Sequence, residues 1–259
     1  MLNRITNSGN DCTFNAPIGG ATTARYFREL ADVTVMGKDE EMAAATRLVE
    51  LKKAMWAAFL SYPPFVSAIC ALIAERLSAE AVPPAVLEAV EKTSRALRDR
   101  VLKSHEEAFN AARNALIDRL VFADVDSVVA DSILADLTGL EGDRGTATNM
   151  KVKPPYRDSA PFVRYVAAAR KAHNAVMLAK NAFVRCNLRL VVAIARRFAR
   201  SSIPLQDLIQ DGNMGLMKAV DRFDPTRGCR FATYAAWWIR YAITRAIVDT
   251  DRSVRLPST

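Results

Sequence analysis

Apolar residues recur three and four positions apart along most of this chain, and no stretch of useful length alternates apolar with polar residues. Helical patterning begins near Ala24, and Lys38 begins a further helix with acidic residues in its first turn. Later helical runs include Ala85–Ala123 and Pro161–Arg200. Only 10 glycines and 11 prolines interrupt 259 residues, too few for a disordered chain. The sequence therefore predicts an all-α fold.

One segment has the length of a membrane span. Residues 54–74 carry no charged side chain over 21 positions, about the length that crosses a bilayer. Pro63 and Pro64 lie near its middle, where they would break a spanning helix. We therefore predict two helices that meet at Ser61–Pro64, and no membrane span.

Short polar segments mark the boundaries between structural elements in the second half of the chain. Residues 140–159 are polar, with glycine, threonine and paired proline, which indicates a domain boundary. Ser201–Pro204 precedes a helix from Leu205 to about Phe223, because proline favours the first helical position. Asp224–Gly228 then separates that helix from the last one.

Positive charge is concentrated at the C-terminal end. Residues 185–259 hold 13 Lys and Arg against 6 Asp, whereas residues 1–184 hold 23 Lys and Arg against 22 Asp and Glu. The net charge of the whole chain is +8. A basic domain on a nearly neutral body indicates a polyanionic partner, most simply nucleic acid. An anionic membrane surface would also suit this charge.

The sequence offers little for catalysis or metal binding. Its four cysteines are scattered and its two histidines, His105 and His173, stand far apart, so neither a zinc site nor a disulfide framework is indicated. No nucleophile–base pair or phosphate loop appears. We predict a non-enzymatic protein without cofactor or metal. Reduced thiols and an N-terminus without a signal-peptide core indicate a cytoplasmic location.

The stretch Arg230–Arg245, RFATYAAWWIRYAITR, carries five aromatic rings on one predicted helix. Residues three and four apart share a helix face, and two adjoining stripes result. One holds Tyr234, Trp237, Trp238, Tyr241 and Arg245, and the other holds Phe231, Ala235, Trp238, Ala242 and Ile243. A core needs only one stripe, so the other faces water. Aromatic faces beside arginine suit the stacking of unpaired bases, which predicts a platform for single-stranded or opening DNA.

Three segments resemble conserved region 2 of the primary, housekeeping-type bacterial sigma factors: Asn187–Val191, Asp207–Phe223 and Arg227–Arg245. Ala24–Leu30, followed by Lys38–Met42, resembles region 1.2 of the same family. The resemblance implies an all-α, multi-helix region 2 domain with a helical insertion. It divides the chain into a mobile tail (1–23), region 1.2-like helices (24–60), a variable helical insertion with its linker (61–160) and region 2 (161–259), which ends at the start of region 3.

The resemblance also implies two partners, the RNA polymerase core and promoter DNA, with an anti-sigma factor as a further candidate. The helix from Leu205 would dock on the coiled coil of the polymerase β′ subunit. The implied contact residues are Asp207, Gln210, Asp211, Asn213 and Met217. This helix has an apolar inner face and a polar outer face, and we interpret Gly212 and Gly215 as allowing close approach of another backbone.

In the family the promoter −10 element melts, and its non-template strand is held by region 2. Tyr234 would stack on the first flipped base, in a pocket lined by Phe223, Asp224, Arg227 and Thr233, with Arg230 also among the DNA-binding residues. Trp237 and Trp238 would form the wedge at the upstream edge of the bubble. Tyr241 and Thr244 would contact the first base pair, and Arg240 and Arg245 would contact phosphates. The residues implied for the last flipped base are Asn187, Arg189 and Leu190. Those implied for the strand just downstream are Tyr26, Phe27 and Arg28.

Three departures from the family pattern keep a second hypothesis open. Cys229 stands where an aromatic residue is usual, and Tyr241 stands where primary members usually have glutamine. The sequence also stops at Arg255–Thr259, before two further helical domains of the family, and we expect a truncation there. The alternative is a polymerase-binding protein that competes with sigma factors and does not itself open promoters.

Overall fold

The computed structural model describes residues 21–141, 149–152, 159–199 and 203–250, and these residues form helices and no strand. The helices are α1 (Ala21–Ala31), α2 (Lys38–Phe59), α3 (Pro63–Arg76), α4 (Pro84–Asp99), α5 (Lys103–Ala123), α6 (Val128–Glu141), α7 (Ala160–Ala195), α8 (Leu205–Arg222) and α9 (Phe231–Thr250). Short 3-10 turns follow α7 (Arg196–Phe198) and precede α9 (Pro225–Arg227). The all-α prediction is confirmed. Residues 1–20 of the predicted tail (1–23) lie outside the described part of the chain. Most of the predicted linker also lies outside it.

The predicted break at Ser61–Pro64 is confirmed. α2 ends at Phe59, and Pro63 occupies the first position of α3, where its missing N–H group is not needed. None of the described helices is by itself long and apolar enough to cross a membrane. α2 and α3 together have the length and apolar composition of a span, but they are bent by 118° at their junction.

The helical run interpreted over Ala85–Ala123 is two helices rather than one. α4 ends at Asp99 and α5 begins at Lys103. His105 Nδ1 lies 3.1 Å from the carbonyl oxygen of Ala96 and 2.9 Å from that of Arg100. The imidazole thus bonds backbone groups at the end of α4, and the two helices then pack against each other.

α7 joins two parts of the fold. Its N-terminal half packs with α3 and α6, and its C-terminal half packs with α8 and α9, while α2 lies along its length. At the N-terminal half, four rings pack together, and we call them the junction cluster: Tyr62, Phe65, Phe162 and Tyr165. Tyr165 donates a hydrogen bond of 2.8 Å to the carbonyl oxygen of Phe59, and burial raises the pKa of its phenol. The cluster thereby fixes the α2–α3 corner against α7.

The C-terminal end of α8 is held by a buried ion pair. Lys180 of α7 lies 2.7 Å from the carboxylate of Asp221, and both side chains are largely buried. Lys52 of α2 donates to the carbonyl oxygen of Asp221 at 3.2 Å, and burial lowers the pKa of this lysine. Three helices therefore meet at Asp221, the penultimate residue of α8.

The two glycines of α8 serve packing inside the domain. A Cβ at Gly215 would lie 2.7 Å from the carbonyl oxygen of Trp238, and one at Gly212 would lie 2.6 Å from Cγ1 of Val191. The backbone of α9 is the one that approaches Gly215, so the predicted close approach of another backbone occurs inside the domain, whereas the nearest neighbour at Gly212 is a side chain.

Candidate nucleic-acid interface

α9 has one buried face and one exposed face, as its sequence predicts. Phe231, Ala235, Ile239 and Ile243 are at most 1% exposed. Trp237 and Tyr241, on the other side, are 54% and 50% exposed. The composition of the buried stripe differs from the prediction, because Ile239 belongs to it while Trp238 and Ala242 lie half-buried at its edge.

Four rings on the outer side of α9 and at the edge of its buried stripe form a connected surface, which we call the platform: Tyr234, Trp237, Trp238 and Tyr241. Trp237 and Tyr241 are parallel to within 5°, with ring centroids 5.6 Å apart. Trp238 stands edge-on to Trp237 at 5.2 Å. Arg222, at the end of α8, places its guanidinium 5.1 Å from the ring centroid of Trp238. The platform therefore combines flat aromatic faces with an adjacent cation.

Phe223 connects the core to the platform. It is 8% exposed, and its ring lies 5.2 Å from that of Phe231 and 5.7 Å from that of Tyr234. Tyr234 in turn lies 6.4 Å from Trp238 and is half-buried. Phe223 thus packs between the core residue Phe231 and Tyr234.

Asp224 organises the turn beside this ring. Its carboxylate accepts hydrogen bonds from the backbone N–H (2.9 Å) and the hydroxyl (2.6 Å) of Thr226. The hydroxyl of Thr226 is the main reason that the pKa of Asp224 is lowered, and Arg227, at 3.4 Å, adds to the effect. Gly228 ends the turn at φ 70°, in the left-handed region that favours glycine. The turn is therefore fixed by its own residues next to the platform.

The predicted phosphate contacts Arg240 and Arg245 and the predicted DNA contact Arg230 have exposed side chains. Arg230 lies 3.7 Å from Glu41 of α2, and Arg245 lies 3.9 Å from Asp249. Arg240 donates to the carbonyl oxygen of Ala236 at 3.1 Å. Glu41 is buried, but all three guanidinium groups are exposed and therefore remain accessible to a phosphate. The predicted contacts Thr233 and Thr244 and the departure at Cys229 are exposed as well.

The three predicted contacts near the end of α7 differ in accessibility. Asn187 is 8% exposed and donates to the carbonyl oxygen of Phe183 at 2.9 Å. Leu190 is half-buried, and Arg189 is exposed. The Asn187 amide is thus engaged within its own helix, and Arg189 is the accessible member of the three.

α1 carries the three residues predicted to contact the DNA strand just downstream of the −10 element. Tyr26 and Phe27 are half-buried, and Arg28 is exposed. The guanidinium of Arg196 lies 5.6 Å from the ring centroid of Phe27. Burial raises the pKa of Tyr26, and the nearby side chain of Asn213 opposes this rise. Tyr26, predicted to touch DNA, therefore adjoins Asn213, predicted to touch polymerase.

The outer face of α8 carries the other predicted polymerase contacts. Asp207, Gln210 and Met217 are exposed, whereas Leu208 and Leu216 on the inner face are fully buried. Burial raises the pKa of Asp211, and the nearby Asp207 adds to the rise. The outer face also includes Met214, which is 58% exposed. The sequence analysis omitted Met214, although its position three residues after Asp211 places it on the same face.

Residues 183–253 match the family Sigma-70 region 2. The similar proteins include the RNA polymerase principal sigma factor HrdD of Streptomyces griseus, 62% identical over 79 residues, which are 30% of this chain and 24% of that protein. They also include RNA polymerase sigma factor SigA of Lactococcus lactis subsp. cremoris, 60% identical over 79 residues (30% and 22%). RNA polymerase sigma factor RpoD of Helicobacter pylori (strain ATCC 700392 / 26695) is 57% identical over 79 residues (30% and 12%).

The chain thus spans about a quarter or less of the length of these relatives. It carries a Sigma-70 region 2 domain that includes the C-terminal part of α7, α8 and α9. Residues before 183 lie outside the family match.

Proposed function

We propose that this chain is a sigma factor that binds the RNA polymerase core and directs recognition and melting of the promoter −10 element. The observation that carries the proposal is the platform, whose exposed Trp237 and Tyr241 lie in a domain shared with principal sigma factors. Trp237 is more than half exposed, so much of its ring is available to an unpaired base.

Stacking on the platform can offset the free-energy cost of flipping a base out of the duplex. Flipping a base out of duplex DNA costs a few kcal/mol, and stacking on an aromatic side chain returns roughly 1–3 kcal/mol per base. Tyr234 rests on Phe223, so a base stacked on its free face would meet a ring that is already ordered. Arg240 and Arg245 would hold phosphates, which position the strand without reading its sequence.

Polymerase binding is assigned to the outer face of α8. Asp207, Asp211, Met214 and Met217 combine acidic and exposed apolar groups on one side of a helix whose other side is core. Such a face suits a partner helix that offers cations around an apolar seam. The β′ coiled coil is the partner that the resemblance implies.

Several finer assignments belong to the same proposal. The chain is of the primary type, and α1 with the start of α2 acts as region 1.2. Its DNA partner is the non-template single strand of the −10 element, an anti-sigma factor is a candidate regulator, and the chain works in the cytoplasm without catalytic activity. The departures at Cys229 and Tyr241 would alter base preference rather than remove the platform.

The test is fluorescence-monitored opening of a promoter by core polymerase, with a probe base at the first flipped position. Opening should require the chain. Tyr234→Ala should abolish opening and leave polymerase binding intact, whereas Tyr234→Phe, which keeps the ring, should retain opening. If opening survives Tyr234→Ala, the stacking assignment is wrong.

A second variant separates docking from melting. Asp211→Lys should weaken polymerase binding and thereby prevent opening, because it reverses a charge on the outer face of α8. Asp99→Lys, at the exposed end of α4, is the matched control and should bind polymerase normally. Unchanged polymerase affinity in Asp211→Lys would contradict the docking assignment.

The competing function is a polymerase-binding regulator that does not melt DNA. It is favoured by Cys229, which is exposed where the family usually presents an aromatic ring. Tight polymerase binding without opening by the unmodified chain would support this second function.

A further inference from the structure

α7 carries a row of cations, of which the proposed contacts to the −10 element use only Arg189. No acidic residue occurs between Asp158 and Asp207. Within α7, four exposed cations share one face, and we call them the cationic ridge: Arg164, Lys171, Arg185 and Arg189. Spacings of seven, fourteen and four residues keep them close to one line, because seven residues make nearly two helical turns.

The ridge lies opposite the face of α7 that packs. Val166, Ala169, Val176 and Phe183 are at most 3% exposed and form the core side of the helix. Leu178, in the middle of the ridge, is 71% exposed. The ridge is therefore an outer edge of the molecule along both halves of α7, rather than a seam between its two parts.

The other Lys and Arg residues of α7 are already engaged. Arg170 pairs with Glu141 at 2.5 Å, and Lys180 pairs with Asp221 at 2.7 Å. The four ridge residues, by contrast, make no ion pair with an acid in the described part of the chain, and Arg164 bonds only the carbonyl oxygen of Ala160. A row of like charges without acids repels itself, and binding a polyanion relieves that repulsion.

We propose that the cationic ridge binds the phosphate backbone of promoter DNA outside the −10 element; this rests on the proposed function and extends it. The ridge is continuous with the proposed interface, because Arg185 and Arg189 lie in the Sigma-70 region 2 match and Arg164 and Lys171 lie before it. From Arg164 to Arg189 the helix rises about 38 Å, which matches about eleven nucleotide steps of one strand. The ridge positions DNA and reads no sequence.

The test is the salt dependence of DNA binding by the full chain, alone and with core polymerase. The double variant Arg164→Ala/Lys171→Ala is compared with Lys92→Ala/Arg98→Ala, which removes one lysine and one arginine from exposed positions of α4. Each lost phosphate contact should reduce the slope of log affinity against log salt by about 0.9 for duplex DNA and about 0.7 for single strands. The ridge variant should therefore lose about 1.8 on duplex or about 1.4 on single-stranded DNA, and the control should lose nothing.

Shortening the DNA stepwise from each end then locates the contact. The difference between unmodified chain and ridge variant should vanish when the contacted segment is removed. Equal slopes for unmodified chain and ridge variant, or an equal loss in the α4 control, would overturn the proposal and identify the ridge as a solvated face.

The two proposals fail separately. If the unmodified chain opens promoters with polymerase while the ridge variant keeps its slope, the ridge proposal fails and the sigma function stands. If the chain neither binds polymerase nor opens promoters, but the ridge variant still loses slope in polymerase-free binding, DNA binding by the ridge stands and the proposed function fails.

Discussion

Two aromatic clusters, each of four rings with two tyrosines, lie at different places in this molecule. The junction cluster, around Phe65 and Tyr165, is buried where the α2–α3 corner meets α7. The platform, around Trp237 and Tyr241, faces outward on α9. The junction cluster satisfies its buried hydroxyl through the Tyr165–Phe59 bond, whereas the platform is accompanied by Arg222 at 5.1 Å from Trp238.

The difference shows what aromatic content means in each setting. In the junction cluster each ring contacts protein on several sides, so its contribution is to stability. In the platform about half of Trp237 and half of Tyr241 remain exposed, so burial energy remains available for a ligand. The two clusters should therefore respond oppositely to substitution, with stability lost in one and DNA opening lost in the other.

The largest expected effect is on the stability of the junction cluster. Phe65→Ala should lower the free energy of unfolding by about 3–5 kcal/mol, because it leaves a cavity in a buried site. Trp237→Ala in the platform should lower it by less than about 1 kcal/mol, yet should abolish promoter opening. Denaturant unfolding and the opening assay check both. A platform variant as destabilising as the junction variant would remove the distinction between the clusters.

The next effect tests how the platform helix is seated. Gly215→Ala should destabilise by about 1–3 kcal/mol, because its Cβ would lie 2.7 Å from the carbonyl oxygen of Trp238 and force α8 and α9 apart. Gly37→Ser is the control, since a Cβ there lies 3.8 Å from Glu40 and serine suits a helix N-cap. Its unfolding free energy should stay within about 0.5 kcal/mol of the unmodified value. Equal thermal midpoints for both variants would contradict the close approach.

An effect of comparable size comes from a single hydroxyl. Tyr165→Phe should cost about 1–3 kcal/mol, because the carbonyl of Phe59 loses its donor in a buried place. Tyr241→Phe, at a half-exposed ring of the platform, should leave the unfolding free energy unchanged. Denaturant titration of the two variants measures the contrast, and an unaltered Tyr165→Phe would mean that water replaces the bond.

The smallest effect is a pH dependence beside the platform. The pKa of Asp224 is lowered in the folded state, mainly by the Thr226 hydroxyl. Its stabilisation is therefore present above the ordinary aspartate pKa of about 3.9 and is lost as the pH falls through the lower folded-state value. Thr226→Val should be less stable than the unmodified chain at pH 7. The gap should close in strong acid, as followed by denaturant unfolding across that range, and a gap that is constant with pH would contradict the assignment.

Much of the fold was predictable, because its signals are local. Proline positions located the α2–α3 corner, and serine and proline located the start of α8. The run interpreted over Ala85–Ala123 failed because no glycine or proline marks the break before Lys103, which depends on His105 bonding to the end of α4. The sequence analysis also missed Ile239 in the buried stripe of α9, although the period of the helix was sufficient to find it.

The candidate site was predictable in part, and the rest depended on neighbours. Helical spacing was enough to separate an exposed aromatic face from a buried one. It could not reveal that Asn187 turns its amide onto its own helix or that Tyr26 adjoins Asn213. These contacts join residues of different elements or depend on how deeply a helix is buried, which spacing along the chain does not encode.

The amino-acid sequence by itself determined the helical class, the corner at the paired prolines, the excess of positive charge toward the C-terminal end and the two faces of α9. These properties depend on residues within a few turns of one another. Only the tertiary structure decided that Gly212 and Gly215 seat α8 against α7 and α9, that Arg222 lies over Trp238, and that the cations of α7 align on its outer edge while its other face is buried. The physical reason is that close packing selects one arrangement of the helices, and that arrangement assigns each face to core or solvent.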